Sequence, residues 1–286
     1  LNIDYVYEVD HFTRAGETQS STSLEIYSGG KGLNQSIALA KSGVKVWHAG
    51  VVGAKDSDML LNQLEETGIN TDLIRKKEGQ SGHAIIQKIQ NGQNCILIHG
   101  GSNQNITKAD VDETLLQFEE GDYILLQNEI NQIAYIMESA HEKGMKIIFN
   151  PSPLNEKIKT YPLQYVDYFM LNEVEAQDLC GSSGTDKELI KKLTKIFPDA
   201  KIVLTLGEKG SIYKDKEQQI FQPIVHVVAV DTTAAGDTFT GFFIGSIISG
   251  KKEEEAMKIA AKASAISVTR SGAGVSIPSM EEVGLL

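Results

Sequence analysis

The clearest chemical signal in the chain is the stretch Asp231-Thr-Thr-Ala-Ala-Gly-Asp-Thr-Phe-Thr-Gly-Phe-Phe243. An apolar, β-branched run from Val225 to Val230 precedes it, and from Gly236 a helical apolar pattern continues to Ser249. A helix that opens on Ala234, Ala235 and Gly236 presents backbone N–H groups with no side chain over them, at the positive end of the helix dipole. Such an end binds anions. Asp237 falls in the first turn of that helix. A carboxylate there can simply complement the dipole. Beside a bound phosphate it can instead take a proton from an attacking hydroxyl.

A second glycine-rich stretch, Gly29-Gly-Lys-Gly-Leu-Asn34, reads either as a tight turn into a helix or as backbone left bare for a ligand. Asn34 offers both a donor and an acceptor to sugar hydroxyls. Asn2 and Asp4 alternate with the apolar Leu1 and Ile3, so they share one face of a strand. Ordinary half-exposed alternation would give the same pattern.

The positioning elements follow from periodicity. Residues 1–4 read as the end of a strand whose start is cut short, and strand character returns at 5–9 and 25–27. A helix opening at the second glycine stretch closes at Gly43. A buried-type strand is expected over 44–52, and a helix over 56–67. The segments 83–88 and 95–99 read as strands around Asn91-Gly92, a hairpin signal. Helices are then expected at 107–118, 132–143, 173–179, 186–197 and 253–269, and strands at 123–127, 146–150, 168–171 and 201–205. A hairpin-like stretch runs on to 222. Alternation of helix and strand implies an α/β fold with a doubly wound, mostly parallel sheet, whose binding sites lie at the carboxyl ends of the strands. The expected main domain is 29–80 plus 100–286, with a small β-sheet lid formed by 5–28 and 81–99.

Composition narrows the partners. The 286 residues carry a formal charge of -11, which argues against a nucleic-acid or anionic-membrane surface. A small anion held by backbone N–H groups is not excluded. The two cysteines, Cys95 and Cys180, are too few for a disulfide framework or a zinc site. No apolar run approaches a membrane span and no signal peptide is visible, so a cytoplasmic setting is expected. The sequence has no Gly-x-x-x-x-Gly-Lys-Ser/Thr loop. It also has no Gly-x-Gly-x-x-Gly placed between a strand and a helix.

Gly29-Gly-Lys-Gly-Leu-Asn-Gln-Ser36 and Asp231-Thr-Thr-Ala-Ala-Gly-Asp-Thr-Phe239 resemble the two signatures of the PfkB carbohydrate kinase family, in its ribokinase branch. The likeness runs from Asn2 to Pro278 and takes in Arg14 to Thr18, Ser81-Gly82, Gln127 to Glu129, Asn172 to Glu175 and Thr205 to Gly210. It implies a ribokinase-like fold and transfer of phosphate from ATP to a sugar. Asp237 would be the base, with the backbone of Ala234, Ala235 and Gly236 as the anion hole. Asn2, Asp4, Gly30, Lys31, Asn34 and Glu129 would bind the sugar. Asn172, Thr205, Gly207 and Gly210 would meet the nucleotide, and Glu175 would help organise Mg2+. Asp231, Thr233, Ser267, Arg270, Gly272 and Ser276 would surround K+. Ala261 stands where some relatives place an adenine-lining histidine. His83 occupies a lid position more often apolar, where a structural role is the ordinary expectation.

Lys31 is the sole cation in the sugar-binding motifs, and Glu129 adds negative charge, which favours a neutral sugar over a sugar phosphate. The polar set resembles recognition of D-ribose. A nucleoside base would want an aromatic platform, for which Phe12 and Tyr7 are the nearest candidates. The alternatives are another kinase of the family, with a fructose, sugar-phosphate or nucleoside substrate, or a non-catalytic sugar-binding regulator. Apolar residues on both faces of the lid strands, among them Ile85, Ile86, Ile96, Leu97 and Ile98, point with the resemblance to a homodimer joined through the lids.

Overall fold

The computed structural model describes residues 1–90 and 93–286. The chain opens with β1 (Asn2–Glu8) and β2 (Ser23–Gly29), then α1 (Lys31–Lys41), β3 (Gly50–Gly53), α2 (Asp58–Glu66) and β4 (Ile74–Lys77). Next come β5 (Gly82–Lys88), β6 (Asn94–His99), α3 (Lys108–Leu115), β7 (Tyr123–Gln127), α4 (Ile133–Glu142) and β8 (Lys146–Asn150). These are followed by β9 (Tyr168–Asn172), α5 (Glu173–Cys180), α6 (Asp186–Ile196), β10 (Lys201–Thr205), β11 (Ser211–Lys214) and β12 (Gln219–Gln222). The chain closes with α7 (Ala235–Ile248), α8 (Glu253–Val268) and α9 (Met280–Leu285).

The larger sheet has the order β12-β11-β10-β9-β8-β7. From β7 to β10 its strands are parallel, and β11 and β12 form an antiparallel edge. Its alternating side chains feed two cores, as a sheet covered on both faces requires. Ile148, Tyr168, Met170 and Val203 pack with residues of α1, α2, α7 and α8. Ile147, Phe149, Phe169, Leu171 and Ile202 pack with residues of α3, α4, α5 and α6. The expected doubly wound arrangement is therefore present.

One expected strand forms only in part. Over 44–52 only β3 forms, and Val44 and Val46 are only partly buried. β3 pairs in parallel with β4, a strand that sequence reading missed. This pair stands apart from the larger sheet. An apolar cavity of about 360 Å³ lies between, lined by Val51 on one side and by Tyr123, Leu125 and Ile148 on the other. Along its first half the segment is held by a single isolated bridge, Trp47 to Asn70, through backbone bonds of Val46 and His48 with residue 70. The run Val225–Val230 is irregular and mostly exposed, with Val228 86% accessible, and at its end the Val230 and Asp231 N–H groups both donate to the Val268 carbonyl. β-branching alone does not make a strand where no edge is available to pair with.

The small sheet has the order β2-β1-β5-β6. Asn2 to Asp4 run straight into β1, so the expected break between them and residue 5 is absent and both belong to this sheet. The Asn91-Gly92 hairpin signal lies outside the described residues.

Helices α1 and α7 pack in direct contact. A side chain at Gly241 would meet the Ala38 Cβ at 2.3 Å, and one at Gly245 would meet the Ser42 Oγ at 1.8 Å. Glycines one turn apart let α7 lie directly on α1, which brings the two signature stretches together.

Candidate functional site

The carboxyl ends of β7, β8, β9 and β10 are Gln127, Asn150, Asn172 and Thr205. Register places Gln127 beside Asn150 and Asn172 beside Thr205, so the sheet ends in a polar crest. A cavity of about 410 Å³ sits on that crest, lined among others by Lys31, Glu175, Gly207 and Ala234 to Asp237. This is the carboxyl-end position where doubly wound sheets bind ligands.

Two helices point their N-termini into the cavity. α5 is closed by a capping box. The Asn172 Oδ1 accepts from the Glu175 N–H at 2.9 Å, and the Glu175 carboxylate accepts from the Asn172 N–H at 2.9 Å. α7 begins at Ala234, which is left-handed with φ 59°, and among the described residues no side chain caps it. A Cβ at Gly236 would meet nothing within 4 Å, so the backbone there is open to a ligand.

Asp237 is buried in the first turn of α7. The Asn34 amide donates to its Oδ2 at 3.1 Å and the Gln35 amide to its Oδ1 at 2.8 Å. The Asn34 Oδ1 is buried without a hydrogen-bond partner, as is the Asn150 Oδ1 on the crest. A buried, orphaned acceptor in a cavity wall is what a ligand hydroxyl or N–H would satisfy.

The sugar-binding candidates gather on α1 and β1. The Lys31 N–H donates to Glu129 at 3.2 Å. Asp4 lies against Gly29, where an added Cβ would sit 1.9 Å from its carboxylate, and Asn2 lies against Gly30. The side chain of Asn2 is engaged by Asn103, whose Nδ2 donates to its Oδ1 at 2.8 Å. Sequence reading missed Asn103, Gln35 and Gln127. Gln35 and Gln127 stand inside stretches that carry the resemblance, next to residues already singled out. Asn103 sits in a short 3-10 turn with no such flag.

Electrostatics follow from crowding. Burial, with help from Glu129, pushes the Asp4 carboxyl up to about 7. Burial also raises Glu129 and Glu175. Burial works against the charge on Lys31, but Asp237, Glu175 and Glu129 together outweigh it and raise its pKa. One cation is thus committed to three carboxylates.

Other candidates fall elsewhere. Gly210, with φ 108°, serves a tight turn whose Cβ would strike the Gln222 carbonyl at 2.3 Å, and Ala261 packs against the core; neither is among the residues lining the crest cavity. His83 pairs with Ile3 and His99, on the face opposite Asp4, and its ring lies 5.0 Å from that of His99. It points away from the sugar side, in keeping with a structural role. Tyr7 also lies on that opposite face, whereas Tyr27, paired with Asp4, lies on the same side as the candidate sugar residues.

Asp231 ties two loops together. Its Oδ1 accepts from Thr233 N–H and hydroxyl at 2.9 and 2.6 Å, and its Oδ2 from the Gly272 N–H at 3.2 Å. Burial opposes its ionisation, but these hydrogen bonds prevail and lower its pKa. Ser267 and Ser276 are buried, and each hydroxyl donates to a nearby carbonyl. Arg270 is paired with Glu282. Among the described residues no group of three His, Cys, Asp or Glu side chains could hold a metal.

A model of the pfkB family of carbohydrate kinases matches residues 1–280. The chain belongs to that family. It is therefore a carbohydrate kinase, a phosphotransferase, with a ribokinase-like α/β fold. Ribokinase from Haemophilus influenzae is 32% identical over 289 residues, covering 99% of this chain and 94% of that protein. Deoxyribokinase from Salmonella typhi is 32% identical over 288 residues, covering 98% and 94%. The structure of Arabidopsis thaliana ribokinase complexed with ribose and ATP superposes with a TM-score of 0.88 at 28% identity, covering 99% and 95%. Among the described residues no helix is long and apolar enough to cross a membrane.

Proposed function

We propose that this family kinase transfers the γ-phosphoryl group of ATP to the primary hydroxyl of a neutral pentose, D-ribose, giving D-ribose 5-phosphate. The observation that carries the reading is the pairing of Asp237, held through both oxygens by Asn34 and Gln35, with the uncapped N-terminus of α7 in one cavity. In this reading Asp237 accepts the hydroxyl proton, and the N–H groups of Ala235 and Gly236 face the charge that gathers on the phosphoryl oxygens. Asn172, Thr205 and Gly207 line the nucleotide's side. Asn2, Asp4, Gly30, Lys31, Asn34 and Glu129 read the sugar. The carboxylates around Lys31 support a neutral sugar, since a second phosphate would meet repulsion there. The relatives include kinases named for ribose and for deoxyribose, which differ at the 2-hydroxyl.

Mg2+ fits the buried Glu175 and the orphaned Asn150 Oδ1, which are oxygen donors on the same crest. It would neutralise phosphate charge when bound. K+ fits the loops joined by Asp231, with Thr233, Ser267, Arg270, Gly272 and Ser276 supplying mainly carbonyl oxygens. The small sheet acts as a lid over the sugar. Its outer face leaves Ile26, Ile85 and Leu97 exposed at 49%, 38% and 68%, which supports a lid-to-lid homodimer.

The test is ATP consumption with ribose, deoxyribose, fructose, fructose 6-phosphate, adenosine and inosine. It is run in potassium and in a bulky organic cation at equal ionic strength, with mass by light scattering. Fastest turnover on ribose, loss of rate without potassium and a dimeric mass are expected. Turnover on a sugar phosphate or nucleoside alone would overturn the substrate, and no turnover on any sugar would leave a binding protein.

A further inference from the structure

Asp237 is only the end of a longer chain of amides. The Gln35 Nε2 donates to Asp237, and the Gln35 Oε1 in turn accepts from the Gln127 Nε2 at 2.6 Å. The three groups come from α7, α1 and the end of β7. Gln35 is almost wholly buried.

The direction of this chain is fixed by chemistry. A carboxylate can only accept, so Gln35 must present its NH2 to Asp237. Its carbonyl oxygen then faces Gln127, which must present an NH2 of its own. Were Gln127 absent, the Gln35 amide could turn over and aim its oxygen at the carboxylate. A glycine supports the arrangement from the far side. A side chain at Gly32 would approach the Gln127 Oε1 at 3.1 Å, tighter than an ordinary contact, so the glycine leaves Gln127 room. The same turn of α1 thus supplies Lys31, the gap for Gln127, and the amides of Asn34 and Gln35.

We propose that Gln127 is a positioning residue for phosphoryl transfer, acting through Gln35 to hold the Asp237 carboxylate oriented toward the substrate hydroxyl. This rests on the reading of Asp237 as the base. With Asn34 on one oxygen and Gln35 on the other, the carboxylate has no freedom to swing, and each oxygen keeps a lone pair for the hydroxyl. The charged groups facing Asp237 are Lys31 on α1, Glu129 after β7 and Glu175 on α5. All three are untouched by changes at Gln127.

The experiment compares Gln127→Met, Gln127→Glu and Asp237→Asn, and combines each Gln127 change with Asp237→Asn. Gln127→Met removes the donor at similar size. It should lower kcat about tenfold, the scale of one hydrogen bond to a charged group, with both KM values within about twofold. The acid limb of its kcat profile should move to higher pH, because a carboxylate that loses a donor holds its proton more tightly. Gln127→Glu is nearly isosteric, so folding is retained. Its carboxylate draws the Gln35 NH2 away from Asp237, and kcat should fall further. Because a protonated Glu can donate as Gln does, the rate of this variant relative to the parent should recover as pH falls. In the Asp237→Asn background, neither Gln127 change should lower kcat again. Unmoved kcat and pH profile in both Gln127 variants, with Asp237→Asn inactive, would overturn the relay alone. So would a loss carried by KM with the profile unmoved. An active Asp237→Asn variant would instead overturn the base on which the relay acts.

Discussion

The N-termini of α5 and α7 face the same cavity and are built in opposite ways. α5 starts on Asn172 and Glu175, which satisfy each other's backbone N–H groups. α7 starts on Ala234, Ala235 and Gly236, which satisfy none with their side chains. α3, α6 and α9 are closed by capping boxes like that of α5. A cap typically stabilises a helix by about 1 kcal/mol. α7 forgoes it and is held instead by its apolar contacts with α1 and α8, including the buried Phe239, Phe242 and Phe243. Under the proposed reading, the end that would bind phosphate is one whose stability lies elsewhere, in packing that a ligand would not disturb.

The sharpest way to break the comparison is at Asp237, the one charged side chain in the open turn. Asp237→Asn preserves shape and removes proton acceptance. A fall in kcat of roughly 10²–10⁴-fold is expected, with sugar affinity by calorimetry changed only a few-fold. Near-normal turnover would remove the base from the scheme.

The next step makes α7 resemble α5. Ala234 is left-handed, a conformation that Asp tolerates, so Ala234→Asp installs a capping carboxylate without backbone strain. It should leave the melting temperature unchanged or higher while lowering kcat about 10²-fold, the scale of a lost anion-hole donor. Unchanged kinetics in this variant would show that phosphate does not approach the α7 end.

A smaller effect separates the closed ends from one another. Thr185 caps α6 outside the set of residues lining the cavity, and Asn172 caps α5 within it. Both Thr185→Ala and Asn172→Ala should cost about 1 kcal/mol in denaturant unfolding. The Asn172 change should also raise the KM for ATP several-fold, whereas the Thr185 change should leave it alone. Identical ATP kinetics in the two variants would make the α5 box purely structural.

The smallest effect concerns charge on the sugar side. Asp4 titrates at about 7 in the folded protein against an ordinary value of 3.8. The folded state holds the proton more tightly, so this group's contribution to stability is fully present below about pH 4 and is lost as pH rises through 7. Asp4→Asn should therefore melt higher than the parent at pH 8 and much like it at pH 4, by calorimetry. A melting difference that does not change between these two values would contradict the raised pKa.

The sequence by itself determined whatever depends on neighbours a few residues apart. The helix opening at Thr107, the apolar period of α7, and the parallel alternation of β7 to β10 are local or repeating signals, and each was legible. So was the crowding of small residues before Asp237. Tertiary structure decided the rest. Val44 to Val52 and Val225 to Val230 have the composition of strands, but pairing partners are set by sheet order, and most of those residues have none. The site's decisive contacts join Asp237 to residues 202 and 203 positions earlier, and Gln35 to one 92 positions later. Those separations close only because Gly241 and Gly245 let α7 rest on α1, and because β7 ends beneath α1. Burial raises the pKa of Asp4 and Glu129 for the same reason: a carboxylate's affinity for its proton depends on which walls the fold places around it, and those walls are drawn from the whole chain.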